Sequence, residues 1–208
     1  PEDVKSGELA FERVAAGSRV RMSLFEEHVG NALIAQTANI AGFATPVSYT
    51  QNVDKTRQRG IELVAGKQDV LIRGLELSGS ATYVHAVILA NSGYAPTIAG
   101  ATSVGKRTPY VPEWRATALA TYRPDDKWAF TLAGRYSGKQ FATVDNTDAN
   151  GHTYQGFESF FVADVRAHYQ ISRQWALAAG VDNVNNRNYY LFHPFPQRTI
   201  YTELSFNY

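Results

Sequence analysis

The 208-residue sequence contains no cysteine and a single methionine. Lacking cysteine, it has no disulfide framework, no thiolate metal site and no thiol nucleophile. No run of about 18 apolar residues occurs, so no transmembrane helix is expected. The formal net charge is only +1, which removes the electrostatic case for a nucleic-acid partner. The five histidines, His28, His85, His152, His168 and His193, show no i, i+4 pairing and no zinc-protease motif. No metal site, cofactor or catalytic constellation is therefore expected. The sequence opens at Pro1 without a signal-peptide pattern; either such a segment was removed, or the chain is a piece of something longer.

What is abundant is aromatic: 12 tyrosines and 11 phenylalanines. They fall in a period-2 pattern. At the end of the chain Ile200, Leu204, Phe206 and Tyr208 share one face, with Thr202 between them, and Tyr201, Glu203, Ser205 and Asn207 share the other. This is a strand with one greasy and one polar side. The pattern repeats upstream. Trp114, Ala116, Ala118, Ala120 and Tyr122 oppose Arg115, Thr117 and Thr121, with Leu119 as an exception. Trp128, Phe130, Leu132, Gly134 and Tyr136 oppose Thr131, Arg135 and Ser137. Phe161, Ala163, Val165, Ala167 and Tyr169 oppose Asp164, Arg166 and His168, and Trp175, Leu177, Ala179 and Val181 oppose Asp182. Charges confined to one side suit a strand whose other side faces lipid. The mean hydropathy is near that of soluble proteins, as expected where lumen-facing polar residues dilute lipid-facing ones.

Nine strands are predicted, at 7–14, 19–32, 56–66, 74–87, 114–122, 127–140, 158–170, 174–184 and 198–207. All eight prolines fall outside them, as residues that cannot donate to a ladder should. Short turns at Ala15–Ser18, Lys67–Arg73, Pro124–Lys127 and Ile171–Arg173 alternate with long connections near 33–55, 88–113, 141–157 and 185–197. Short turns at one end and long loops at the other are the signature of a transmembrane antiparallel β-barrel, an all-β fold of the outer membrane of Gram-negative bacteria. The aromatics sort by height on the apolar face. Tyr122, Trp128, Tyr169, Trp175 and Tyr208 lie toward the short turns, and Trp114, Tyr136 and Phe161 toward the long loops. These two levels are read as membrane girdles, since amphipathic rings favour the headgroup region. A soluble β-sandwich explains the alternation but not aromatic rows at both strand ends.

Nine is an odd count for a closed barrel, and an open nine-stranded sheet would leave two unpaired edges in lipid. Either the chain closes alone with 8 or 10 strands, or it is the wall of a wider barrel. Local motifs favour the second. Pro1-Glu2-Asp3-Val4 with Gly7-Glu8-Leu9, Asn52 to Lys55 with Arg59-Gly60-Ile61-Glu62-Leu63, and Gly105-Lys106-Arg107-Thr108-Pro109 with Val111-Pro112 form an ordered set. Gly180 to Tyr190 and Pro196-Gln197-Arg198-Thr199 complete it. Over essentially its whole length the chain resembles the C-terminal part of the β-barrel of TonB-dependent outer-membrane receptors of the siderophore-receptor type. Asn185 stands where that family usually has an aromatic, and Gln197 where it has a small residue. The resemblance implies a barrel of about 22 strands with a plugged lumen. Residues 1–208 would then be its C-terminal portion, with the plug domain and earlier strands absent. It implies an active importer of a scarce metal chelate, a ferric siderophore before vitamin B12, copper or glycan. The partners implied are outer-membrane lipid, the chelate, the barrel-assembly machinery and TonB, engaged through a missing N-terminal segment. Leu204, Phe206 and Tyr208 would form the assembly signal. The competing readings are a self-contained 8- or 10-stranded porin or adhesin and, further off, a barrel enzyme.

Binding residues concentrate on loops held by rigid scaffolds. Arg187, Tyr189, Tyr190, Phe192 and His193, with Phe195, cluster between Asn185 and Gln197. Flat rings with cations suit an anionic aromatic iron chelate; the plainer alternative is that the rings pack the loop itself. Asn146-x-Asp148-x-Asn150-Gly151 has the spacing of half a calcium loop, but Phe157 stands where the motif requires Glu. His168, Arg166 and Asp164 read as a salt-bridged lumen wall rather than a ligand site.

Overall fold

A computed structural model of the chain describes residues 1–38, 42, 44–45, 47–148 and 151–207. Among these there is no helix. Strands β1 (Asp3–Ala15), β2 (Ser18–Ala38), β3 (Val47–Lys67), β4 (Leu75–Ala90), β5 (Trp114–Tyr122), β6 (Trp128–Ser137), β7 (Phe160–Gln170), β8 (Trp175–Asp182) and β11 (Thr199–Phe206) form one antiparallel sheet. Each pairs with the next in that order, and β1 and β11 are its outer edges. Two dipeptide strands, β9 (Tyr190–Leu191) and β10 (His193–Pro194), make a separate hairpin in the last long loop. Pro194 therefore lies in a strand, contrary to the expectation that every proline stays outside one. It is tolerated because the ladder is two residues long and has a free edge.

The short turns are built from side-chain acceptors. Asp125 Oδ1 accepts from the amides of Lys127 and Trp128 at 2.8 and 2.9 Å. Ser172 Oγ accepts from Trp175 N at 3.2 Å, and Asp69 Oδ1 from Gly74 N at 2.6 Å. Gly74 has φ +84°, and a Cβ there would collide with the carbonyl of Arg123; only glycine closes this corner without strain.

Register carries the apolar face across the sheet. Phe11, Met22, Leu63, Ala81, Ala116, Tyr136 and Phe161 fall in one cross-strand row. Leu77, Ala120, Leu132, Val165, Val181 and Ile200 fall in another. Phe11, Leu24, Leu63, Leu132, Phe161, Ile200 and Leu204 are all exposed, so nothing among the described residues covers this face. From Trp128 to Tyr136 the strand rises about 26 Å, or about 20 Å along the normal at barrel tilt, close to the apolar band of an outer-membrane barrel.

The other face carries charge in cross-strand pairs. Arg19 meets Glu12 at 3.0 Å, Arg21 Glu8 at 3.1 Å, Arg135 Asp164 at 3.2 Å and Arg166 Glu203 at 3.2 Å. Each exposed pair contributes about 0–1 kcal/mol, so their role is to make a wettable wall, as expected of the His168 row. Leu119 lies on this face and is exposed. Gly180 leaves a gap there that the Tyr201 ring fills, so that a Cβ would collide with it.

Predicted strand ends hold within three residues from β4 through β8 and in β11. The departures are in β1, which starts four residues early, and in β2 and β3. These two run on to Ala38 and back to Val47, whereas alternation ends at 32 and begins at 56. The cause is a break in phase. Asn31 adopts φ +55°, and inward residues switch from odd (Ser23, Phe25, Glu27) to even (Ala32, Ile34, Gln36). Across the ladder β3 switches from even (Thr56, Gln58) to odd (Val53, Gln51, Tyr49). A β-bulge between Lys55 and Thr56 marks the same level on β4. Both strands flip together, so pairing continues while the sequence period is lost.

Candidate recognition loops

Above the phase break the sheet builds a small core of its own. Val53, Ile88 and Val144 are buried together, with Ile34 and Tyr94 packed against them. Val144 comes from the loop after β6, which the loop after β4 anchors. Arg107 N donates to Asn146 Oδ1 at 2.8 Å, Asn146 Nδ2 returns a bond to Arg107 O at 3.0 Å, and Tyr110 N donates to Phe141 O at 2.8 Å. Arg107 also pairs with Glu113. The Tyr94 hydroxyl donates to Asp145 Oδ2 at 2.6 Å, and Asp145 is 5% exposed. Burial raises the Asp145 carboxyl, but the bonds from Tyr94, Thr147 and Thr143 outweigh it and hold it below the usual carboxylate range. Burial and the carboxylate push the Tyr94 phenol well up.

The half-calcium spacing is used for this scaffolding. Asp148 accepts from Ala142 N at 2.6 Å and Thr143 Oγ1 at 2.6 Å, Asn146 bridges to Arg107, and Asn150 lies outside the described residues. Among the described residues no three His, Asp or Glu side chains are placed to hold a metal.

The last long loop is closed at its base by Asn183. Its amide accepts from Arg187 N at 2.8 Å and donates to Arg187 O at 2.8 Å and Pro196 O at 3.3 Å. Asn185 bonds β7 through Phe161 O and Ala163 N, both at 3.0 Å. The residue in place of an aromatic thus imitates one more strand residue on the β7 edge.

The five proposed ligand residues do not act as one surface. Tyr189 is buried, its ring stacked between Phe160 at 4.2 Å and Phe195 at 4.9 Å. Arg187 reaches Glu158 at 3.4 Å, and the Tyr190 amide donates to the same carboxylate at 3.0 Å. His152 Nδ1 lies 3.0 Å from it. Phe192 tips the β9–β10 hairpin with φ +68°, and it and His193 are exposed. They pack on Tyr154 and on Phe157, neither of which was expected in a binding role. Tyr154 lies 5.0 Å from His193 and 6.1 Å from Phe192, Phe157 6.3 Å from Phe192, and Tyr110 5.3 Å from Phe157. The hairpin is tied down by Gln155 N to Phe192 O at 2.6 Å and Phe192 N to Gly156 O at 2.9 Å. The result is an aromatic cap joining three loops, with Tyr110, Tyr154 and Phe192 presenting open ring faces. The aromatic density of 152–161 was the available signal.

On the outward face Trp128 and Tyr169 lie 4.5 Å apart and Trp175 and Phe206 4.7 Å apart, both toward the short turns. Trp114 meets Tyr83 at 4.9 Å toward the long loops, where Tyr136 pairs with Phe161. Tyr122 is opposite Phe130. Leu204 is opposite Leu177; Tyr208 lies outside the described residues.

The family model described as "TonB dependent receptor-like, beta-barrel" matches residues 1–184. Among solved structures, the ferric citrate transporter FecA in its unliganded form is 22% identical, with a TM-score of 0.77, over 99% of this chain and 31% of that one. The siderophore receptor PiuA from Acinetobacter baumannii is 17% identical, with a TM-score of 0.73, over 99% and 28%. The ferric-catecholate import receptor Fiu from E. coli K12 is 21% identical, with a TM-score of 0.67, over 98% and 27%. The chain spans 27–31% of the length of these structures. No curated protein matches it. These neighbours are transporters and import receptors, not enzymes.

Proposed function

The chain belongs to the TonB-dependent receptor-like β-barrel family, whose members are outer-membrane proteins of Gram-negative bacteria, and from that premise we propose that it forms the C-terminal wall of a TonB-driven importer of a ferric siderophore. The observation that carries the reading is the open sheet. Its nine strands share an apolar outward face, interrupted by Arg13 on the β1 edge and Thr202 on β11, while the β1 and β11 edges are left without partners among the described residues. An edge of this kind is not viable in lipid, which supports further strands completing the wall, and in a barrel of about 22 strands a plug would fill the lumen. The aromatic rows at both heights would sit at the two membrane interfaces, and Leu204, Phe206 and Tyr208 would serve assembly. The cap of Tyr110, Tyr154, Phe192 and His193 supplies ring faces for a flat chelate. Met22, the sole methionine, lies in the outward apolar row, so this segment offers little for a bare soft metal ion. The test is uptake of radiolabelled ferric siderophores by cells carrying the full-length protein. Energy-dependent uptake that is lost on deleting TonB is expected. Passive, TonB-independent permeation would instead indicate a porin.

A further inference from the structure

We infer that the Glu158 carboxylate is a clasp that locks the loop after β6 to the β9–β10 hairpin, and that protonation of His152 tightens it. The inference adds a regulation to the aromatic cap, and its bearing on recognition rests on the import reading above. The two loops meet along a short ladder of their own. Gln155 N donates to Phe192 O at 2.6 Å, Phe192 N to Gly156 O at 2.9 Å and Glu158 N to Tyr190 O at 3.2 Å, with Phe157 and Leu191 paired antiparallel between them. A ladder so short is marginal unless something else holds it. The Tyr154 and Phe192 rings of the cap keep their separation only while it is closed.

The carboxylate supplies the hold. Glu158 Oε1 accepts from Tyr190 N at 3.0 Å and lies 3.0 Å from His152 Nδ1, while Oε2 accepts from Arg187 Nη2 at 3.4 Å. One side chain therefore gathers donors from both loops. Gly151 permits the close approach, since a Cβ there would stand 3.0 Å from the Glu158 Cβ. The His152 ring is set edge-on against Tyr190 at 5.1 Å. The Glu158 side chain is 13% exposed and that of His152 58%, so the anion is shielded while the imidazole exchanges protons with solvent. Arginine is charged at every working pH; histidine is not. A neutral imidazole turns either a bare nitrogen or an N–H toward the carboxylate, whereas an imidazolium always donates, and with charge. Acid therefore strengthens the bond between His152 and Glu158. The surrounding groups do not reverse the sign. Arg187 and the Tyr190 amide bond the same carboxylate. His193 meets this loop at Tyr154, 5.0 Å away, and Tyr110 meets it at Phe157, 5.3 Å away. Asp145 and Asp148, earlier in the loop, are engaged by Tyr94 and Thr143. The Asp145 bonds give way only below about pH 4, under the range of about pH 5–8 in which histidines change charge.

Hydrogen exchange of the full-length receptor in detergent, without ligand, tests the clasp. Protection of the amides of 155–158 and 190–192 is compared at about pH 8 and about pH 5.5, after the intrinsic pH dependence of exchange is divided out. A rise of about three-fold in acid is expected, within the range of an exposed charge pair. His152→Gln and Glu158→Gln should each abolish the rise. Arg187→Gln should lower protection at both pH values and keep the rise, and His193→Gln should keep it too. Equal protection at the two pH values in the unaltered receptor, or a rise that survives His152→Gln or Glu158→Gln, overturns the proposal. So does a rise lost in His193→Gln, which would place the switch on the other histidine. Heat-modifiable gel mobility is the folding control, and His152→Gln, at an exposed position, decides the matter should Glu158→Gln misfold. Because no chelate is present, flat exchange fails this inference alone, whereas TonB-independent uptake fails the import reading and leaves the clasp standing.

Discussion

Replacing Tyr189 by alanine should open the last loop without unfolding the sheet. The Tyr189 ring is 5% exposed and is held between Phe160 and Phe195. Burying such a ring stabilises by about 1.5–3 kcal/mol, and each stacked partner adds about 0.5–1.5 kcal/mol. Removing it should therefore cost about 3–5 kcal/mol, in the range for buried aromatic-to-alanine changes. The cost is local, because the loop base is separately closed by Asn183 and the strands keep their ladder. At about 1.4 kcal/mol per decade, the opening equilibrium of the loop rises by about two to three and a half orders of magnitude. Hydrogen exchange of the full-length protein in detergent reads this directly. Amides of 186–198 should lose that protection, while those of β5, β6 and β7 should be unchanged. Tyr189→Phe keeps both stacks and should behave as wild type. Unchanged exchange in Tyr189→Ala, or exchange spreading into the strands, would refute the assignment of this ring as a local clamp.

The loop after β6 should loosen in acid. The Asp145 carboxyl is held below its unfolded value, so its stabilising bonds are complete above about pH 4 and are lost as pH falls through the lower folded value. Limited proteolysis of 141–148 at pH 7 and at successively lower pH checks this, and Tyr94→Phe should move the onset upward. Gly180→Leu should cost about 1–3 kcal/mol by expelling the Tyr201 ring, read as a lower melting temperature; Tyr201→Ser should recover part of it. Leu132→Arg, on the outward face, should cost about 2–4 kcal/mol in bilayer folding titrations, and Thr117→Arg, facing inward, far less.

The strand layout was legible because half-buried strands announce themselves by period 2, and from β4 below its bulge through β8 the period holds with Leu119 as the exception. It failed at Asn31 and at Asp54–Lys55, where β2 and β3 change phase together. A single residue with positive φ hides nine strand residues in β3, because alternation is read by parity and parity has flipped. The loop aromatics were visible as composition, but composition does not say which ring faces which. Tyr189 and His193 are four residues apart, yet one is a buried clamp and the other part of an exposed cap. Tyr110 and Tyr154 join that cap from distant loops, and Tyr94 finds Asp145 across 51 positions. Contacts of that kind arise only when the ladder has brought the loops to one end.

The account turns on whether these nine strands complete a wider wall. The direct measurement is the intact mass of the native polypeptide that carries residues 200–208, extracted from outer membranes. A mass about three times the 23.0 kDa of this segment is predicted from its share of the matched structures. A mass near 23.0 kDa, with β1 cross-linking to β11 in the membrane, would contradict it and leave a small self-closed barrel.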